Sequence, residues 1–86
     1  MNITISFRNM EHTQALDDLI KSKSQKFSKW FSSSADLKWT CWVEGHQHIC
    51  EVKIMDQNKE HFAKAESDDL YKSIDLVIQK IQNQID

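Results

Sequence analysis

The chain has 86 residues, one glycine, no proline and a formal net charge of −2. That length holds one small domain, residues 1–86, with one core, and 40% hydrophobic with 28% charged residues excludes disorder. No apolar run approaches the roughly 18 residues of a membrane span, the start MNITISFRNM lacks the pattern of a signal peptide, and two cysteines make no disulfide framework, so a cytoplasmic protein with reduced thiols is expected.

Residues 2–7, NITISF, alternate, with Ile3, Ile5 and Phe7 on one face of a first strand. Thr13 suits a helix N-cap, and Asp17 and Asp18 follow where the helix dipole favours acids. Leu16, Leu19, Ile20, Phe27, Trp30 and Phe31 then recur at three- and four-residue spacing, which predicts an amphipathic helix of about five turns. Leu37, Trp39, Cys41 and Val43 share one face of a second strand, with Lys38, Thr40 and Trp42 on the other.

A type II′ turn at Gly45-His46 sets the register of the next strand. It places Trp39 opposite Val52, Leu37 opposite Ile54 and Cys41 opposite Cys50, all on the apolar face. Trp42 then faces Ile49, Thr40 faces Glu51 and Lys38 faces Lys53 on the outer face. Asp56-Gln57-Asn58-Lys59 is a turn cluster leading to a fourth strand over 60–66. From Ser67 the period changes to 3.6, with a stripe of Leu70, Ile74, Val77, Ile78, Ile81 and Ile85. The expected fold is α+β, in the order β-α-β-β-β-α. Its four-stranded mixed sheet is parallel between the first two strands and antiparallel elsewhere, with both helices packed on one face.

The acids Glu66, Asp68 and Asp69 raise the question of a catalytic or metal site, but an N-cap at Ser67 or Asp68 and a first-turn Asp69 account for them. His46 and His48 lie near a turn, with His61 on a neighbouring strand, and nothing in the pattern brings a third ligand to them. Cys41 and Cys50 fit core packing. No motif supports catalysis, and no cofactor or metal is expected.

Charge is unevenly distributed. Lys21, Lys23, Lys26 and Lys29 occupy the stretch between Leu19 and Ala35, which contains no acid. Lysines at spacing three on one side of a helix suit phosphate contacts. Lys38 opposite Lys53 is unfavourable unless an anion compensates. Trp42 and Ile49 on the outer sheet face form either two harmless exposed apolar residues or a small contact patch.

The sequence resembles the short ribosome hibernation-promoting factors, the family that includes protein Y. The strongest match is Ala63-x-Ala65-Glu66-Ser67-Asp68-Asp69-Leu70-Tyr71-x-x-Ile74-Asp75, followed by Lys80. Ile3-Thr4-Ile5 with Arg8, Thr13-x-Ala15-Leu16-x-Asp18, Lys23, Lys26, Phe31, Val43-Glu44 and Glu51-Val52 support it in order and spacing. The sequence departs from the family in its single arginine and in Ser24, which stands where an apolar residue is usual. The resemblance implies binding to the small ribosomal subunit, in the channel used by messenger RNA and transfer RNA. Translation would then be inhibited by occupancy under stress or in stationary phase, with the protein a monomer off the ribosome. It implies RNA contacts at Arg8, Lys23, Lys26, Lys29, Lys64, Lys72 and Lys80, and assigns Tyr71 and Asp75 to packing and local hydrogen bonding. The alternative is a protein-interaction module that uses the exposed sheet face.

Overall fold

The structure, a computed structural model, describes residues 1–85; Asp86 lies outside the described residues. Strands β1 (Asn2–Arg8), β2 (Asp36–Glu44), β3 (Gln47–Asp56) and β4 (Lys59–Ser67) form one sheet in the order β1-β2-β3-β4. Helix α1 (Gln14–Ser24) joins β1 to β2, and helix α2 (Leu70–Ile85) follows β4. The β1–β2 pair is parallel and the other two are antiparallel, as expected.

The β2–β3 register is the one the turn specified, with Leu37–Ile54, Trp39–Val52 and Cys41–Cys50 as inward pairs. Gly45 has φ +61°, the left-handed first position that a type II′ turn requires. At the next turn Gln57 and Asn58 both have positive φ, the backbone that lets two residues connect β3 to β4. The inward faces of the sheet and the stripes of both helices enclose one core, with Trp39, Phe27, Ile20, Ile74, Val77 and Ile81 fully buried.

Two helix details differ from expectation. The five-turn first helix is α-helical only through Ser24 and continues as a 3-10 helix over Gln25–Lys29. Thr13 does cap it, accepting from Leu16 N–H at 3.2 Å. The tighter winding follows the packing. Ser24 is buried, and its hydroxyl accepts the Trp39 indole N–H at 2.9 Å. Phe27, three residues on, is buried with its ring 6.3 Å from that of Trp39.

The second correction concerns α2. Its N-cap is Asp69 rather than Ser67 or Asp68: Asp69 Oδ1 accepts the Tyr71 N–H at 3.1 Å. Strand β4 runs on to Ser67, which is held between the helix and the sheet. Its hydroxyl lies 2.7 Å from that of Ser73, which donates to the His48 carbonyl at 2.6 Å. Asp69→Ala is expected to cost about 1 kcal/mol. In a chain this size that lowers the melting temperature by about 4–8 °C, and thermal unfolding followed by circular dichroism checks it, with Asp69→Asn close to wild type.

Candidate nucleic-acid interface

The lysine row begins on α1 and continues along the 3-10 segment. Residues three apart drift around an α-helix but eclipse on a 3-10 helix. Lys26 and Lys29 are therefore aligned on the segment that the sequence alone reads as α-helix, and both are exposed.

The four lysines of the acid-free stretch are not equivalent. Lys21 Nζ lies 2.9 Å from Asp17 Oδ2, one helical turn back, and His12 Nε2 lies 2.9 Å from Asp17 Oδ1. The hydrogen bond from Lys21 and then that from His12 hold the Asp17 carboxyl below its usual range, and Asp17 in turn raises Lys21. Lys23 Nζ donates to Asp75 Oδ1 of α2 at 2.8 Å, tying the two helices together. Lys26 and Lys29 have no carboxylate within 4 Å among the described residues.

The other implied contact residues lie elsewhere. Lys72 is exposed on α2, beside Tyr71, Asp75 and Leu76 along a shallow groove. Tyr71, assigned from the resemblance to packing and local hydrogen bonding, is 56% exposed and packs into no core. Asp75 keeps its local role as the partner of Lys23.

Lys80 Nζ donates to the Lys64 carbonyl at 2.6 Å, and Gln84 Nε2 donates to the Phe62 carbonyl at 2.6 Å. Phe62 and Lys64 lie on β4, an edge strand, and these side chains cap carbonyls that an incoming strand would use. The spacing fits, because four helical residues rise about 6 Å and two strand residues about 6.8 Å. Lys80 thus also protects the edge.

Arg8 and Lys64 are on the opposite side of the sheet from the helices. In register Arg8 lies beside Trp42, and its guanidinium carbon is 5.6 Å from the centre of the Trp42 ring. Lys64 Nζ is 5.3 Å from the same ring, on cation–π terms. To reach β2 from β4, Lys64 must cross β3, where Ile49 pairs with Trp42. Ile49 is in consequence only 2% exposed although it faces away from the core. This corrects the reading of Trp42 and Ile49 as open apolar residues: Ile49 is covered and Trp42 is half-buried beneath two cations. The seven implied residues therefore divide between a helix-side group (Lys23, Lys26, Lys29, Lys72), an edge residue (Lys80) and a sheet-face pair (Arg8, Lys64).

Two of the histidines and both cysteines have structural roles, while His48 Nδ1 is buried without a hydrogen-bond partner among the described residues. His61 packs edge-on against Phe31 with ring centres 5.1 Å apart, and His12 packs at a tilt against Phe7 with ring centres 4.6 Å apart. Cys41 and Cys50 are buried free thiols with Sγ atoms 3.0 Å apart. The hydrogen bond shared with Cys41 and then burial push the Cys50 thiol strongly up, which keeps it neutral. Asp56 accepts from the Ser32 hydroxyl at 2.5 Å and from its N–H at 3.0 Å, and these bonds hold its carboxyl below the usual range. Among the described residues no three His, Cys, Asp or Glu side chains are grouped to hold a metal ion, and no helix is long and apolar enough to cross a membrane.

The family model described as "Sigma 54 modulation protein / S30EA ribosomal protein" matches residues 3–86. The chain belongs to this family. Among curated S30EA relatives, the ribosome hibernation promoting factor of Salmonella typhimurium is 29% identical, over 99% of this chain and 90% of the relative. That of Escherichia coli K12 is 28% identical with the same coverage. The N-terminal domain of Thermus thermophilus Protein Y superposes with a TM-score of 0.90 at 23% identity, covering 99% of this chain and 96% of that one. A ribosomal subunit interface protein from Coxiella burnetii gives 0.85 at 21% identity, covering 99% and 93%. These two solved structures share the fold with this S30EA chain.

Proposed function

We propose that this S30EA chain is a cytoplasmic ribosome hibernation factor. It binds the small ribosomal subunit in the messenger and transfer RNA channel and inhibits translation by occupancy, without catalysis, under stress or in stationary phase. The observation that carries the reading is the pair Lys26 and Lys29, exposed, aligned and without a carboxylate within 4 Å among the described residues. Unpaired lysines in a row meet RNA phosphates without first giving up a protein partner. Family membership and the names of the relatives support the ribosome as the target. Lys72 adds a cation on the same side of the sheet, while Arg8 and Lys64 are placed to meet RNA on the other.

The test is displacement. Adding the protein to purified small subunits carrying a labelled messenger and initiator transfer RNA should release both and block initiation. Retention of both at saturating protein would refute binding in the channel.

Asp75 moderates the same surface. It holds Lys23 and places a negative charge beside the row. Asp75→Asn frees Lys23, and small-subunit affinity is expected to rise about two- to fivefold, in keeping with the modest strength of an exposed ion pair. The salt dependence should steepen by about one phosphate contact. Filter binding at several salt concentrations reads both, and an unchanged affinity and slope would place Lys23 outside the interface.

A further inference from the structure

The face of the sheet that the helices leave open carries a depression of about 150 Å³ lined by Arg8, Lys38, Thr40, Glu51, Lys53 and Phe62. Lys38 and Lys53 stand directly opposite each other in the β2–β3 register. Like charges in that position repel. Lys53 has one carboxylate partner, Glu60 at 3.4 Å. Arg8 and Lys38 have none within 4 Å among the described residues. Around the depression, cations outnumber Glu51, the one acid lining it. Phe62 pairs with Lys53 across β3–β4 and is 46% exposed, a large apolar ring held at the rim among these cations.

We propose that this open sheet face is a second RNA-binding surface, which takes a single-stranded segment with a base stacked on Phe62 and phosphates at Lys38, Lys53 and Arg8. A half-exposed aromatic among cations, of which Arg8 and Lys38 have no carboxylate partner among the described residues and Lys53 has only the exposed Glu60, is the arrangement by which proteins hold single strands. The Glu51 carboxylate, which lines the same depression, is a hydrogen-bond acceptor, and the donors that an unpaired strand offers are exocyclic amines and 2′-hydroxyls. An acidic peptide would satisfy the lysines but leave the Phe62 ring unused. An apolar protein partner would find the largest ring of the face, Trp42, already covered by Arg8 and Lys64. The surface lies across the sheet from Lys26 and Lys29, so the two can engage different RNA segments at once and hold the protein between them.

The experiment separates this surface from the helix row. Fluorescence anisotropy with a labelled single-stranded RNA of about twelve nucleotides is measured in a Lys26→Glu, Lys29→Glu background, so that the row does not contribute. The background protein should still bind. Adding Lys38→Gln and Lys53→Gln should weaken binding at least tenfold and flatten the slope of log affinity against log salt by about 1.4, the value for two phosphate contacts on a single strand. Phe62→Leu should weaken it about tenfold with the slope unchanged, because stacking releases no counterions. A Lys38→Arg, Lys53→Arg protein keeps the charge and should bind like the background. The proposal is overturned if the background protein does not bind the RNA at low salt. Binding that ignores both the lysine and the phenylalanine changes overturns it too, as does equally tight binding of a polyglutamate peptide. Small-subunit binding by wild type is measured separately, so failure here leaves the helix-row reading standing, and the converse also holds.

Discussion

Replacing Trp39 with alanine is expected to lower the melting temperature by about 15–30 °C. Trp39 sits at the middle of the sheet, between Ile5 on β1 and Val52 on β3, and is fully buried. Removing a buried tryptophan costs about 3–5 kcal/mol through lost burial and the cavity left behind. A chain of this length is stable by only about 4–13 kcal/mol, so much of its margin disappears. The indole adds a polar requirement that a large apolar residue would not. Its N–H donates to Ser24, buried within the core, and no water reaches either group.

Ser24→Ala should therefore cost about 1–3 kcal/mol, because it leaves a buried donor unsatisfied. Trp39→Phe should leave the serine hydroxyl in the same position. In the double variant the two penalties should be less than additive, since neither polar group remains. Urea unfolding of the four proteins measures this coupling. A neutral Ser24→Ala would show that the hydrogen bond does not hold the fold.

The second large effect is on binding. The Lys26→Glu, Lys29→Glu protein should bind small ribosomal subunits at least about 100-fold more weakly than wild type. Two charge-assisted contacts to phosphate, each worth about 1.5–3 kcal/mol, are lost, and repulsion replaces them. The melting temperature should hardly change, because both side chains are exposed and neither is paired among the described residues. Lys23→Glu is a poorer probe. It sets a second carboxylate against Asp75 at the junction of the helices, so an effect on binding would be mixed with one on packing. Unimpaired subunit binding by the double variant would remove the helix row from the interface.

Much of the architecture was legible because one short turn fixed it. Once Gly45-His46 is read as a two-residue connection, the β2–β3 pairing follows, and the apolar residues Leu37, Trp39 and Cys41 agree with it. The 3-10 segment was not legible, because Phe27, Trp30 and Phe31 at spacings of three and four suit an α-helix equally well. Ser24 read only as a polar intrusion on an apolar stripe. Its function depends on where the Trp39 indole nitrogen points, which packing decides. The cap at α2 was ambiguous because Ser67, Asp68 and Asp69 can each cap a helix, and the choice rests on how far β4 extends.

The site was legible as a set of residue types but not as a surface. Sequence spacing aligned Lys26 with Lys29, yet it could not show that Lys21 and Lys23 are already paired and that these two have no carboxylate partner among the described residues. The bond from Lys80 to the Lys64 carbonyl could not be read from the sequence, because it depends on the docking of α2 along β4. The spacing of Lys80 and Gln84 against Phe62 and Lys64 was the available signal, and it needs the helix and strand to be known as neighbours. Arg8 beside Trp42 depends on the parallel β1–β2 register, which no turn in the sequence sets.

The proposed function rests on Lys26 and Lys29 binding ribosomal RNA. Co-sedimentation of the purified protein with small ribosomal subunits, from about 50 to about 200 mM salt, tests it most directly. Binding should saturate near one protein per subunit, with affinity falling by orders of magnitude across that range and lost in the Lys26→Glu, Lys29→Glu protein. No binding at the lowest salt, or binding indifferent both to salt and to these two lysines, would contradict it.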